Sequence, residues 1–129
     1  MRLESNFMAE RITKWEPVLD IDSSFRSIAY SFQDDCLSVR MVGARTLTLR
    51  FTGVVALHFE QECPGFDFLS CPLPMLRPSE TFPLLIVEES AWAKKYNLIY
   101  KDIAHFALIS SDHLLQLIAE RINKAHWEH

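Results

Sequence analysis

The chain has 129 residues, of which 49% are hydrophobic and 23% are charged, and its formal net charge at pH 7 is −4. These values are typical of one globular domain that can bury its own core. They argue against a strongly basic surface for nucleic acid, and no apolar run reaches the roughly 18 residues that a membrane-spanning helix requires. We therefore expect a single soluble domain over residues 1–129 that binds neither nucleic acid nor membrane.

The N-terminal residues and the cysteines indicate the compartment. Charged residues interrupt the first 15 positions, so they lack the apolar core of a secretory signal. Cys36, Cys63 and Cys71 are odd in number and form no Cys-x-x-Cys pair, as expected in a reducing environment. The sequence thus predicts a cytoplasmic protein.

The acidic residues are concentrated in the middle of the chain. Residues 51–90 contain six acids and only one base, Arg77, whereas acids and bases nearly balance on either side. A charged partner of this region would therefore be basic.

An amphipathic helix is predicted over residues 3–15. Its apolar residues recur at helical spacing and are Leu3, Phe7, Met8, Ile12 and Trp15. Pro17 would end it, because the residue before a proline is pushed out of the helical region.

A β-hairpin is predicted over residues 25–42, with a two-residue turn at Asp34-Asp35. Apolar residues occupy even positions before the turn and odd positions after it, as this turn requires. The predicted pairs are Phe32 with Leu37, Tyr30 with Val39, and Ile28 with Met41. A loop at residues 43–45 then pairs Met41 with Leu47, Val39 with Leu49, and Leu37 with Phe51, which completes an antiparallel meander.

The longest alternation of apolar and polar residues covers residues 46–61 and predicts one long strand. A turn at Thr52-Gly53 would mix polar and apolar residues on both faces, so we expect a bend or bulge at Gly53 instead. Residues 54–61 extend past the first hairpin and need another partner, for which residues 84–89 and 104–110 are the candidates. The bend would curl the sheet into a half-barrel or a two-layer arrangement.

Two more helices are predicted after this strand. Ser90 suits the N-cap of a short helix over residues 90–97. Ser110 or Ser111 would cap a C-terminal helix packed on the sheet, with Asp112 near its positive end. The buried stripe of that helix comprises Leu114, Leu115, Ile118, Ile122 and Ala125. The expected fold class is therefore α+β.

Residues 62–83, hereafter the Pro-rich segment, contain five of the six prolines, which exclude regular structure over most of their length. A loop of this length inside a domain is usually functional or mobile. Its apolar residues predict either an interface for a protein partner or second copy, or a lid on one side of the sheet. The interaction candidates are Phe66, Phe68, Leu69, Met75, Leu76 and Phe82.

Motifs for nucleotide or hydrolytic chemistry are absent from the sequence. Glycine occurs only at positions 43, 53 and 65, and there is no Gly-x-Ser-x-Gly or His-Glu-x-x-His pattern. We predict no cofactor and no firm metal site. The best metal or catalytic candidates are Asp102, His105 and His113, with Asp112 beside them, because two histidines and a carboxylate form a common metal site.

Two weaker constellations remain. Arg40, Arg50 and His58 share the even-numbered face of the meander, which is either a polar groove or a solvated sheet face. Cys63 and Cys71 would need His58 to complete a zinc site, and their spacing is not that of typical zinc sites.

Three stretches within residues 46–120 carry a resemblance: LRFTGVVALHFEQE, VEESAWAKKY and AHFALISSDHLLQLIAE. Their order resembles that of small uncharacterised bacterial α+β proteins, with a Gly-Val-Val strand, a Ser-x-Trp helix and a His-aromatic strand leading into an Asp-bearing helix. Some proteins of this kind are suspected immunity partners of polymorphic toxins. The resemblance implies a bacterial cytosolic protein that binds a protein and lacks catalytic apparatus.

Three function hypotheses follow. The first is a non-enzymatic protein-interaction module of immunity type that binds a basic partner through the Pro-rich segment. The second is a small enzyme or metal-binding protein that uses Asp102, His105 and His113. The third is a homo-oligomeric structural protein.

Overall fold

The computed structural model describes residues 11–21, 25–61 and 82–128, which form seven strands and one short helix. These are β1 (Arg11–Lys14), β2 (Ser27–Gln33), β3 (Cys36–Val42), β4 (Leu47–Gln61), β5 (Leu84–Glu88), α1 (Ala91–Lys94), β6 (Ala104–Ile109) and β7 (His113–Trp127). All strands belong to one antiparallel sheet in the order β1-β5-β6-β7-β4-β3-β2. Strands hold 62% of the described residues and helix only 4%, so the predicted α+β class is wrong.

The predicted meander of β2, β3 and β4 is confirmed residue by residue. Both turn residues, Asp34 and Asp35, have positive φ, 49° and 66°, as a type I′ turn requires. The observed register contains all six predicted pairs, from Phe32–Leu37 through Leu37–Phe51. Apolar parity across the two-residue turn and across the loop at residues 43–45 is therefore sufficient to place three strands.

The long strand is also confirmed, with its irregularity at Gly53. This glycine has φ of 64°, and the pairing of β4 shifts register just after it, between Val54 and Ala56. The predicted partner of residues 54–61 is wrong, however. They pair with β7, while β5 and β6, which are strands as predicted, pair with each other.

The predicted C-terminal helix is wrong, because the same residues form β7, the central strand of the sheet. β7 pairs with β6 over its first half and with β4 over its whole length. Its first half is buried on both faces, so Leu114, Leu115, Leu117 and Ile118 are all apolar and alternation disappears. In its second half a register shift skips Asn123. The residues of this half that contact the core are Ala119, Ile122, Ala125 and Trp127. The first three are three positions apart, which imitates a helical stripe.

The predicted N-terminal helix is wrong where it can be compared. Its residues 3–10 lie outside the described part of the chain, and residues 11–14 form β1, which pairs with β5. Trp15 follows β1 and packs against Phe51 and Phe106, with ring centroids 6.0 and 4.8 Å away. Ile12 thus lies within a strand and Trp15 directly after it, and their spacing does not mark a helix.

The short helix is present but spans only Ala91–Lys94, capped by Ser90 as predicted. Successive turns continue from it: the Ile99 and Tyr100 N–H groups donate to the Tyr96 carbonyl at 3.1 and 2.9 Å. Among the described residues, no helix is long and apolar enough to cross a membrane.

The sheet curves until the start of β2 meets the start of β7. Backbone hydrogen bonds join Ser111 to Phe25 at 3.1 Å and Asp112 to Arg26 at 3.0 Å. The curvature also brings Tyr30 of β2 within 5.2 Å of the Phe59 ring of β4, although β3 lies between these strands in the sheet. The main core fills the concave side, and a second apolar cluster lies on the other face of β5, β6 and β7: Leu85, Val87, Ala107 and Leu114.

An ion pair holds the end of β7 against β3. The Arg40 guanidinium donates two hydrogen bonds to Glu128, at 2.8 and 2.9 Å, and the Thr48 hydroxyl donates a third. These hydrogen bonds lower the pKa of Glu128 from 4.5 to about 2, and those from Arg40 have the largest effect.

This pair predicts a specific acid sensitivity. A carboxylate with a lowered pKa stabilises the folded state above its unfolded pKa, and that contribution is lost as the pH falls from about 4.5 to about 2. Glu128→Gln is therefore expected to show a shallower loss of unfolding free energy over this interval than the wild type, measured by chemical denaturation at several pH values. Arg40→Gln should flatten the same interval. Equal pH dependence in all three proteins would contradict the assignment.

Candidate functional site

A hydrogen-bonded network of three buried polar side chains connects α1, β6 and β7. Ser90 Oγ lies 2.7 Å from His105 Nδ1, and His105 Nε2 lies 2.8 Å from Gln116 Oε1. Because an amide oxygen only accepts, Nε2 carries the proton and donates to Gln116, and Nδ1 accepts from the Ser90 hydroxyl. The three residues are 4%, 1% and 0% exposed, so these bonds replace water at all three positions.

Secondary structure holds each member of this network in place. Ser90 caps α1, and its Oγ also accepts from the Ala93 N–H at 3.0 Å. His105 is the second residue of β6, between Val87 of β5 and Ile118 of β7 in the register. The Trp92 ring meets the imidazole edge-on at a centroid distance of 5.0 Å.

A cleft of about 430 Å³ opens beside the Ser90–His105 bond. Its walls come from the end of β5, the helix α1 and the start of β6. Two ion pairs lie along it: Arg11 with Glu88 at 2.9 Å, and Lys94 with Glu89 at 3.5 Å. Its charged lining is therefore already matched within the protein.

The chemistry of this hydrogen-bonded network favours a structural role for its three side chains over catalysis. A serine–histidine pair acts as a nucleophile when a third group stabilises the imidazolium that forms during proton transfer. Gln116 is a neutral amide and stabilises that charge far less than a carboxylate would. Ser90 Oγ is also held by the helix cap. The network thus fixes α1 on the sheet.

The predicted metal candidates do not come together. His113 Nδ1 accepts the Ile28 N–H at 3.0 Å, and its partner across β4 is Gln61. His105 is paired with Ile118 of β7. Ile118 lies five residues after His113, so the backbone positions of the two histidines are about 17 Å apart along the strand. Asp102 is exposed in the turn before β6. Within residues 11–21, 25–61 and 82–128, no group of three or more His, Cys, Asp or Glu side chains could hold a metal ion.

Asp112 and the arginine–histidine face have other contacts. Asp112 does not cap a helix; its N–H donates to the Arg26 carbonyl. Arg40 binds Glu128, and His58 Nε2 lies 3.3 Å from Glu60 Oε2. Two of the three side chains of this predicted polar face, Arg40 and His58, are therefore engaged by carboxylates of the protein itself. Cys63 and Cys71 lie outside the described residues.

Of the predicted interaction residues, only Phe82 lies in the described part of the chain. It packs against both apolar clusters, and the Lys14 ammonium lies 5.3 Å from its ring centroid. Phe66, Phe68, Leu69, Met75 and Leu76 lie outside the described residues.

Sequence reasoning missed one exposed surface, the outer edge of β2. Residues 29–33 of this edge strand are all exposed, and they include Tyr30 at 39% and Phe32 at 58%. The two-residue loop is closed by the hydrogen-bonded pair of Gln33 and Cys36, so even-numbered residues direct their N–H and C=O groups away from β3. The signal was in the sequence: Ser27–Gln33 contains no charge and no proline.

The sheet itself blocks the beginning of this edge. The Ile28 N–H already binds His113, and residues 25 and 26 bind residues 111 and 112. Within residues 11–21, 25–61 and 82–128, no strand pairs with the outward N–H and C=O groups of Tyr30 and Phe32. The opposite edge, β1, includes Arg11 and Lys14, and these charged residues protect it from strand addition.

Comparison with known proteins does not place this chain in a family: no family model, curated protein or solved structure matches it.

Proposed function

We propose that the chain is a protein-interaction module whose β2 edge receives an extended segment of a partner protein. The observation that supports this proposal is the uncharged, exposed edge at residues 29–33, with two outward-facing backbone positions beside two exposed aromatic rings. A sheet edge of this kind binds by strand addition: backbone hydrogen bonds provide affinity, and alternate side chains provide specificity.

The surroundings of the edge define the partner segment. Tyr30 and Phe32 share one face of the strand and favour apolar or aromatic side chains opposite them. Asp34 and Asp35 follow directly and are exposed, so a basic residue at one end of the segment would find carboxylates within reach. The preference for a basic partner thus rests on this turn as well as on the acidic middle of the chain. The immunity-type form of the proposal rests on the sequence resemblance alone.

The test introduces a photo-cross-linking amino acid at position 31 and recovers cross-linked partners from the native host. Phe32→Pro removes an outward N–H without removing a β2–β3 hydrogen bond, whereas Phe32→Ser removes the ring and keeps the N–H. We expect Phe32→Pro to bind at least about tenfold more weakly than Phe32→Ser, because a partner carbonyl loses its donor.

Ile12→Ser is the matched control, since Ile12 is a 38% exposed apolar residue on the opposite edge strand. It should leave cross-linking unchanged. Equal cross-linking by the Phe32→Pro and Phe32→Ser variants would refute strand addition. Recovery of the chain itself as the sole cross-linked species would assign the edge to a homodimer and refute the proposed partner.

A further inference from the structure

The loop that follows α1 exposes its largest apolar side chains. Leu98 is 94% exposed, Ile99 is 78% exposed and Tyr100 is 40% exposed. They are consecutive, so they form one apolar tip, in contrast to the isolated surface leucine Leu19. An apolar tip of this kind usually marks a binding surface.

The backbone of this loop is well supported. Its turns are closed by hydrogen bonds from Tyr96 to Ala93 at 2.9 Å and from Ile99 and Tyr100 to Tyr96. Ala93 is buried and Trp92 packs on His105, so the loop is anchored to the sheet. Leu98 and Ile99 are thus held outward by local structure, and binding would require little further ordering.

Three lysines surround the apolar tip: Lys94 and Lys95 precede it and Lys101 follows it. Lys94 pairs with Glu89, whereas within the described part of the chain Lys95 and Lys101 have no ion-pair partner. With Asp102, residues 94–102 carry a local charge of +2, from three lysines and one aspartate, in a protein whose net charge is −4. Because Glu89 offsets Lys94, the remaining excess at the tip is +1, from Lys95 and Lys101 less Asp102. The tip is therefore weakly cationic, on a molecule whose net charge is −4.

From the apolar tip and its flanking lysines we infer that residues 94–101 bind the surface of an anionic lipid bilayer. Leu98 and Ile99 would enter the boundary between headgroups and acyl chains, and the lysines would contact the anionic headgroups. This binding mode needs no membrane-spanning segment, so it adds a peripheral contact that the initial expectation of no membrane partner did not consider.

The test is co-sedimentation of the full chain with vesicles of phosphatidylcholine alone and of phosphatidylcholine with 30 mole per cent phosphatidylglycerol. We expect binding to the anionic vesicles only, and a steep decrease with added salt. Lys95→Gln/Lys101→Gln should weaken it by about twenty-fivefold, at about fivefold per lysine. Leu98→Ser/Ile99→Ser should weaken it at least as much.

Two matched controls separate the loop from general surface effects. Leu19→Ser removes another highly exposed leucine, and Lys124→Gln removes another exposed lysine, and both should bind like the wild type. A tryptophan placed by Leu98→Trp should shift its fluorescence to shorter wavelength on anionic vesicles. Absence of binding, equal binding to neutral vesicles, or equal loss in the control variants would overturn the inference and leave the tip to a protein partner.

Discussion

Replacement of His105 by leucine is expected to lower the free energy of unfolding by about 2–5 kcal/mol, because two buried hydrogen bonds are lost together. The Ser90 hydroxyl and Gln116 Oε1 are almost inaccessible to solvent, so neither can turn to water in place of the imidazole. The register neighbours of His105 are the apolar residues Val87 and Ile118, so a leucine adds no new polar group to this position. Urea denaturation measures it.

A double-mutant cycle distinguishes this network from simple packing. His105→Leu/Gln116→Leu should lose at least about 1 kcal/mol less than the sum of the two single variants, because each single variant already loses the His105–Gln116 hydrogen bond. His58→Leu is the matched control, since His58 lies opposite Gln116 on β4 but is partly exposed. It should cost under about 1 kcal/mol. Additive losses in the cycle would contradict a coupled network.

Replacement of Gly53 by alanine is expected to destabilise the protein by about 2–3 kcal/mol. A φ of 64° costs an L-residue about 1–2 kcal/mol, and a Cβ at this position would overlap the side chain of Glu120. The Glu120 side chain would have to move from a position where it lies directly over the glycine. Thermal or urea denaturation would report the loss.

Further variants separate the two causes. Gly53→Ala/Glu120→Ala relieves the overlap and should recover about half of the loss, which leaves the backbone strain. Gly43→Ala is the matched control, because Gly53 is the only glycine of the described residues with positive φ. It should change stability by less than about 1 kcal/mol. A loss in Gly43→Ala equal to that in Gly53→Ala would show that neither cause is specific to position 53.

The candidate site was only partly predictable because its members were assigned to different elements. The sequence predicts Ser90 as a helix cap and His105 as a candidate functional residue. Gln116 falls in the predicted C-terminal helix, outside its buried stripe. Only the pairing of β6 with β7 brings it to His105, since Ala107 is its register partner and His105 lies two residues along. A contact that depends on strand order is not visible in local spacing.

Local pairing was determined by the sequence itself. Apolar parity specifies the register of β2 and β3 across a two-residue turn, and that of β3 and β4 across the loop at residues 43–45. A shift of one residue would turn the buried side chains toward water. The same reasoning identified Gly53 as the irregular point of β4, and the structure gives the reason: the backbone there has a positive φ and the Glu120 side chain covers it.

Only the tertiary structure decided that residues 113–127 form a strand, and which strand pairs with the long strand β4. Local propensity does not distinguish a helix from a strand when both faces are buried and a bulge restores a spacing of three. Two neighbouring strands settle the matter, because β4 and β6 supply hydrogen-bond partners that an isolated segment lacks. The sheet then leaves only its outer edges unpaired, and the edge at residues 29–33 is an interface candidate because no strand of the described chain covers it.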